Sequence, residues 1–279
     1  MSKIRFTEPN REILARRDSI INDLTRLVDP AGLITSTDEC RAYETDALTA
    51  YRKMPLAVVL PKTTEEVSAV LKYCHDTGVK VVPRGAGTSL AGGAIPSEDA
   101  VVLGLSKMNR VLAVNYDDRF IRVEAGVTNL SVTAVVAENG FFYAPDPSSQ
   151  LACTIGGNIA NNSGGAHCLK YGVTTNNLLG VRMVLIDGSI IDLGGDYLDS
   201  AGLDLLGLVV GSEGQLGIVT EATLRILKSA EGARPVLFGF PSCEGAGKAV
   251  ADVIAAGIIP VAIEYMDKPA IEVCESFAK

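Results

Sequence analysis

The sequence predicts an α+β fold whose first lobe is α/β, and three observations lead there. Residues 56–83 read as strand, helix and strand with short connections, the pattern of a parallel crossover unit. Residues 111–195 carry two polar turns, Asp117-Asp118 and Asp187-Gly188, each set between apolar runs in the manner of an antiparallel hairpin. Three glycine-rich stretches, at 83–93, 145–172 and 211–220, each adjoin an apolar element.

Taken in order, Ile13, Leu14, Ile20, Ile21, Leu24 and Leu27 recur at roughly helical spacing, so residues 8–29 are expected to form a helix that Asp29-Pro30 ends. A mixed segment runs on to Pro55. LAVVLP (56–61) reads as a buried strand, and TTEEVSAVLKYCHDTG (63–78) as a helix with a Thr63/Glu66 capping box and Gly78 as C-cap glycine. VKVVP (79–83) and AVVLGL (100–105) are further strands. Beyond 110 the pattern becomes antiparallel: the hairpin VLAVNYDDRFIRVEAG, a helix LSVTAVVAENG closed by Asn139-Gly140, and the hairpin VRMVLIDGSIIDLGG. Residues 203–227 then read as a short helix, a glycine turn and a strand. After 232 come a strand PVLFGF, a helix GAGKAVADVIAAG, a strand IIPVAIEYM and a helical start at 268–279. The expected organisation is an N-terminal helical extension (1–55), a domain at 56–231 with lobes of 56–110 and 111–231, and the truncated beginning of another domain at 232–279.

With 279 residues, 47% of them hydrophobic, the chain can bury a sizeable core. Its 33 acidic against 25 basic residues, with no Lys/Arg run, argue against a nucleic-acid partner. The N-terminal MSKIRFTEPNREILARR has charges throughout and is no secretory signal, and nothing approaches the ~18 apolar residues of a membrane span. A cytoplasmic location is expected, with membrane association only through partner subunits. The six cysteines are scattered without a CxxC pair, so free thiols, mostly buried, are expected. His75 and His167 have no metal-ligand spacing, and no metal is expected.

The functional signal lies in the glycine-rich stretches. In VVPRGAGTSLAGGAIP (81–96), glycines at 85, 87, 92 and 93 follow a strand, where a phosphate could be met by main-chain N–H groups with Thr88 and Ser89 beside them. It is no Walker loop, because no lysine lies between Pro83 and Lys107. It also fails the dinucleotide fingerprint, since Leu90 stands at the third glycine and no helix follows. PDPSSQLACTIGGNIANNSGGAHCLKYG (145–172) combines glycine pairs with amides and hydroxyls, and a loop of that length is costly to order unless it binds something. GSEGQLGIVT (211–220) places Glu213 between glycines. Three such loops suggest one extended ligand that touches all of them.

In order and spacing these three segments resemble the flavin-contacting segments of the vanillyl-alcohol oxidase type of FAD-linked oxidases. Within that group, HCLKYGVT looks most like the catalytic, FAD-binding polypeptide of bacterial glycolate oxidase and its D-lactate dehydrogenase relatives. The resemblance covers residues 40–279 and implies a PCMH-type two-lobed FAD-binding domain followed by the start of a ferredoxin-like cap. It implies that Pro83, Arg84, Gly85, Ala86, Gly87, Thr88 and Ser89 wrap the FAD pyrophosphate. It places Pro145, Asp146, Thr154, Gly157, Asn161, Ser163 and Gly164 along the isoalloxazine and ribityl portion, and Glu213, Gly217, Ile218 and Val219 at the adenine end. The flavin is expected to be non-covalent, since the first loop has neither histidine nor cysteine. The implied reaction is oxidation of a small 2-hydroxy acid, glycolate or D-lactate, with a second flavin subunit and an iron-sulfur subunit as partners. A flavin-binding module without turnover of its own is the alternative. No catalytic base is assigned: His167 is read as ordering its loop, and neither Arg84 nor Lys170 is given a catalytic role.

Overall fold

The computed structural model describes residues 7–196 and 202–278; the first six residues of the expected extension, and Lys279, lie outside them. The chain opens with helices α1 (Arg11–Ala15) and α2 (Arg17–Leu24), not one helix to residue 29. The break falls at Arg16, whose N–H turns to the Ile13 carbonyl at 3.0 Å, a tightened turn that ends the α-helical ladder. A two-residue strand β1 (Leu33–Ile34) and a short helix α3 (Thr37–Cys40) follow, so the extension contributes an edge strand as well as helices.

The first sheet is completed by β2 (Ala57–Val59), helix α4 (Thr64–Thr77), β3 (Lys80–Arg84) and β4 (Ala100–Gly104), in the order β1-β2-β4-β3. Strands β2, β3 and β4 run parallel, and β1 pairs antiparallel with β2. The ends of α4 are as the sequence dictates. Thr63 Oγ1 accepts the Glu66 N–H at 3.2 Å, and Gly78 closes the helix in the left-handed region. The Glu66 carboxylate, however, receives the N–H of Lys62 at 2.6 Å, one residue before the cap. Because β3 is an edge strand, Pro83 can sit in it without costing a ladder bond.

The second sheet is built from β5 (Val111–Asn115), β6 (Phe120–Glu124), β8 (Leu178–Val184), β9 (Ile190–Gly194) and β10 (Ile218–Arg225), in the order β5-β6-β10-β8-β9. All its pairings are antiparallel. Between β6 and β8 lie α5 (Asn129–Val136), the short strand β7 (Phe141–Phe142), α6 (Ile155–Asn161) and α7 (Cys168–Tyr171). Helix α8 (Leu205–Val209) precedes β10, and β11 (Leu227–Lys228) pairs with β7.

Alternation on the first sheet separates two apolar clusters. Ala57, Val59, Val101 and Leu103 join a large core that continues through α2, α4 and the second sheet, whereas Val58 and Val102 face a small cluster with Cys40 and Leu60. The last described segment differs from expectation. Helices α9 (Cys243–Ala255) and α10 (Lys268–Phe277) form, but the apolar runs 235–240 and 258–266 form no strands. A strand needs a ladder partner, and neither run pairs with another segment among the described residues.

Candidate flavin site

The first loop leaves the carboxyl end of β3, where Arg84 is fixed before the glycines begin. Arg84 Nη1 donates to the Thr45 carbonyl at 2.7 Å and the guanidinium lies 5.5 Å from the centre of the Tyr43 ring. Burial pulls the guanidinium below its ordinary pKa, with the nearby Asp46 carboxylate opposing. The Ala47 N–H donates to the Ser89 carbonyl at 3.1 Å, so residues 43–47 brace the loop at both ends. Gly87 has φ of +73°, and a Cβ there would stand 2.6 Å from Arg84 Cζ. Gly85 faces the second segment, where a Cβ would stand 2.5 Å from Thr154 Oγ1. Glycine is therefore required at both positions, for backbone conformation at one and close approach at the other.

The second segment is not the continuous loop that its composition suggests. Its middle folds into α6, seated on the second lobe by the Ile155 N–H to the Val127 carbonyl at 2.9 Å and the Gly156 N–H to the Ala125 carbonyl at 2.8 Å. Asn162 ends the helix in the left-handed conformation, which Asn tolerates. The third loop then hangs from the end of α6: the Gly211 N–H donates to the Ile159 carbonyl at 2.9 Å and the Glu213 N–H to the Ala160 carbonyl at 2.8 Å. Glu213 is held at φ of +54°. A non-glycine residue in that region is a strained one that its surroundings must enforce.

These three loops, distant in sequence, line one cleft. Every residue from Pro83 to Ser89 lines it, as do Thr154, Gly157, Asn161, Ser163, Glu213, Gly217, Ile218 and Val219. Pro145, Asp146 and Gly164 do not line it; they support the loop behind. The Pro145 carbonyl accepts from Asn129 Nδ2 at 3.1 Å, Asp146 receives the His167 N–H at 3.0 Å and its ring Nδ1 at 3.2 Å, and Gly164 packs against Cys168 and Val173. His167 is thus tied to Asp146 and to the Ala144 carbonyl at 3.1 Å, consistent with an ordering role. Ser149, Cys153, Asn158 and Ser212, all in the lining, are not among the residues that the resemblance places on the cofactor. Each lies inside a stretch already singled out, but nothing in the composition tells which of its residues face inward.

The cleft is lined mainly by small residues and carries two charged ones, Arg84 and Glu213. Main-chain N–H groups, hydroxyls, side-chain amides and the guanidinium N–H groups of Arg84 not spent on Thr45 are what the walls offer an anion. Two further groups are conspicuous: Thr154 Oγ1 and Asn158 Nδ2 are buried with no hydrogen-bond partner. Such a group costs about 1–3 kcal/mol unless something satisfies it. An extended, acceptor-rich ligand that needs close backbone approach fits this donor set.

Comparison with known proteins gives that ligand a family. Residues 55–194 match the family model described as FAD binding domain, and residues 230–279 match that of the FAD linked oxidases, C-terminal domain. The chain belongs to the FAD-linked oxidases. This FAD-linked oxidase is 48% identical over 261 residues to the glycolate oxidase subunit GlcD of Escherichia coli strain K12, a match covering 94% of this chain and 52% of that one. It is 44% identical to the Bacillus subtilis GlcD, over 85% of this chain and 51% of the relative, and 39% identical to a D-lactate dehydrogenase of Archaeoglobus fulgidus, over 92% and 57%. The chain spans about half the length of the curated relatives it matches. Among solved structures, an alkyldihydroxyacetonephosphate synthase matches with a TM-score of 0.76 at 22% identity, covering 93% of this chain and 48% of that one, which shows a shared fold. FAD is the cofactor of this FAD-linked oxidase, and the small-residue cradle with its two orphan donors fits it. No helix among the described residues is long and apolar enough to cross a membrane.

Proposed function

We propose that this chain is the flavin-binding part of a 2-hydroxy-acid dehydrogenase that oxidises glycolate or D-lactate to the 2-oxo acid. The observation that carries the reading is the 48% identity to a glycolate oxidase subunit over 94% of this chain. It is supported by a cleft whose walls come from the three loops that resemble flavin-contacting segments. Bound FAD supplies the two-electron acceptor for the hydride leaving C2 of the substrate. The residues of this chain bind and orient it. In this reading the loop Pro83 to Ser89 wraps the pyrophosphate, with main-chain N–H groups after Pro83 as donors, Thr154, Gly157, Asn161 and Ser163 lie along the ring and ribityl portion, and Glu213, Gly217, Ile218 and Val219 meet the adenine end. Pro145, Asp146 and Gly164 act from behind, by fixing the 163–172 loop.

The proposed organisation keeps an extension at 1–55, a two-lobed FAD domain at 56–231 and the start of the substrate domain at 232–279. The attachment is non-covalent, the partners are a second flavin subunit and an iron-sulfur subunit, and the location is cytoplasmic, with the membrane reached through those partners. A second reading, a flavin-binding module without turnover, is favoured by one observation: of the side chains lining the cleft only Arg84 and Glu213 are charged, and neither histidine is among them.

The deciding experiment is the visible spectrum of the FAD-loaded chain before and after anaerobic addition of glycolate or D-lactate. Bleaching by one of them supports the dehydrogenase and names its substrate class. A flavin spectrum that stays oxidised favours the module, and failure to take up FAD overturns both readings.

A further inference from the structure

We infer that Asn158 is a cofactor-binding residue whose side-chain amide, together with the Thr154 hydroxyl, is a donor reserved for acceptor atoms of the bound flavin nucleotide. The inference rests on the FAD reading of the cleft and assigns to it a residue that neither the resemblance nor the comparisons single out.

Three asparagines are buried among the described residues: Asn129, Asn158 and Asn177. Two of them spend their amides on the fold. Asn129 Nδ2 donates to the Pro145 carbonyl at 3.1 Å, and Asn177 Nδ2 donates to the carbonyls of Tyr171 and Val173, each at 3.0 Å. Asn158, only 2% exposed, has no partner for Nδ2. Its neighbour Asn161, exposed on the same helix, donates to the Gly157 carbonyl at 2.9 Å, so α6 does satisfy amides where the fold needs them.

Thr154 repeats the pattern. It is the N-cap residue of α6, in extended conformation, yet its hydroxyl makes no capping bond and remains unpartnered at 5% exposure. A threonine placed to cap a helix and not doing so is available to something else. The other buried side-chain atoms without partners, on Asp46, Asp99 and Tyr143, lie off the cleft, whereas Asn158 and Thr154 both line it. Two unmet donors one helical turn apart, beside the glycines of the first loop, define the chemistry of what they take. It is a neutral or anionic acceptor, a ring carbonyl, a ring nitrogen or a phosphate oxygen, and not a cation or an apolar group.

The test compares Asn158→Leu and Thr154→Val with the unmodified chain in two measurements. One is thermal unfolding of the protein stripped of FAD; the other is FAD affinity by titration of flavin fluorescence. Each substitution removes a polar atom the empty fold does not satisfy, so each variant is expected to melt at or above the unmodified chain without FAD. Each is also expected to bind FAD at least tenfold more weakly, equivalent to about 1.4 kcal/mol. A residue that serves only the fold would do the reverse. A variant that melts lower without FAD, or whose FAD affinity falls by less than tenfold, overturns the inference. If Asn158→Leu does not fold, the amide belongs to the fold and the inference for Asn158 is overturned, leaving Thr154→Val to decide for the hydroxyl. Failure of the unmodified chain to bind FAD overturns the underlying reading instead, so the two failures are distinguishable.

Discussion

Replacing Gly87 by alanine tests how the first loop is held. The substitution acts twice. At φ of +73° a Cβ costs about 1–2 kcal/mol through left-handed backbone strain. The same Cβ would stand 2.6 Å from Arg84 Cζ and 3.1 Å from Nε, so the guanidinium must move and its 2.7 Å bond to the Thr45 carbonyl is lost. A hydrogen bond from a charged donor is worth about 1.5–3 kcal/mol, and at half burial the lower end applies. The expected destabilisation is therefore about 3 kcal/mol, which for a chain of this size is a fall of about 6–12 °C in Tm. Circular dichroism melts of the FAD-free chain measure it. A cycle with Arg84→Ala separates the two contributions: in that background only the strain remains, so Gly87→Ala should cost about 1.5 kcal/mol less than in the unmodified chain. Equal costs in both backgrounds would refute the steric argument, and a cost below about 0.5 kcal/mol would refute the strain as well.

Two further predictions concern titration and reactivity. Asp99 is 1% exposed, and although burial pushes its carboxyl up, the Lys80 ammonium at 2.9 Å and the Asn10 N–H at 2.9 Å outweigh it and draw the pKa down to about 2 from the ordinary 3.8. A depressed folded-state pKa means stability that is present above the unfolded value and lost as pH falls from about 4 toward 2, about 1–2 kcal/mol in all, and Asp99→Asn should flatten that limb in acid melts. Of the six cysteines, Cys243 and Cys274 are exposed, Cys168 is half-buried, and Cys40, Cys74 and Cys153 are buried, with burial pushing the Cys74 thiol up to about 12. Ellman's reagent should find two fast thiols in the native chain and all six after unfolding, and rapid reaction of any of the three buried thiols would contradict the packing.

Much of this protein was legible in its sequence because the signals are local. Alternation and capping fix β2, α4, β3 and β4 within a residue or two, and Asp117-Asp118 and Asp187-Gly188 mark hairpins that form with the pairing expected of them. The need for close backbone approach is also local, so the glycine loops announced a ligand before any site existed. What the sequence could not provide is which faces meet. Helix α6 hides inside a stretch rich in glycine and asparagine because its seat on Val127 and Ala125 compensates for poor helix propensity. The brace on Arg84 comes from residues about forty positions away, with no pattern linking them. The runs at 235–240 and 258–266 have the composition of strands, but a ladder needs a neighbour that composition does not guarantee. Asn158 and Asn161 are alike as letters; only the packing of α6 leaves one amide satisfied by the backbone and the other unspent in the cleft. Local propensity thus determined the elements and the kind of ligand, while burial, which depends on the whole chain at once, decided which side chains are free to hold it.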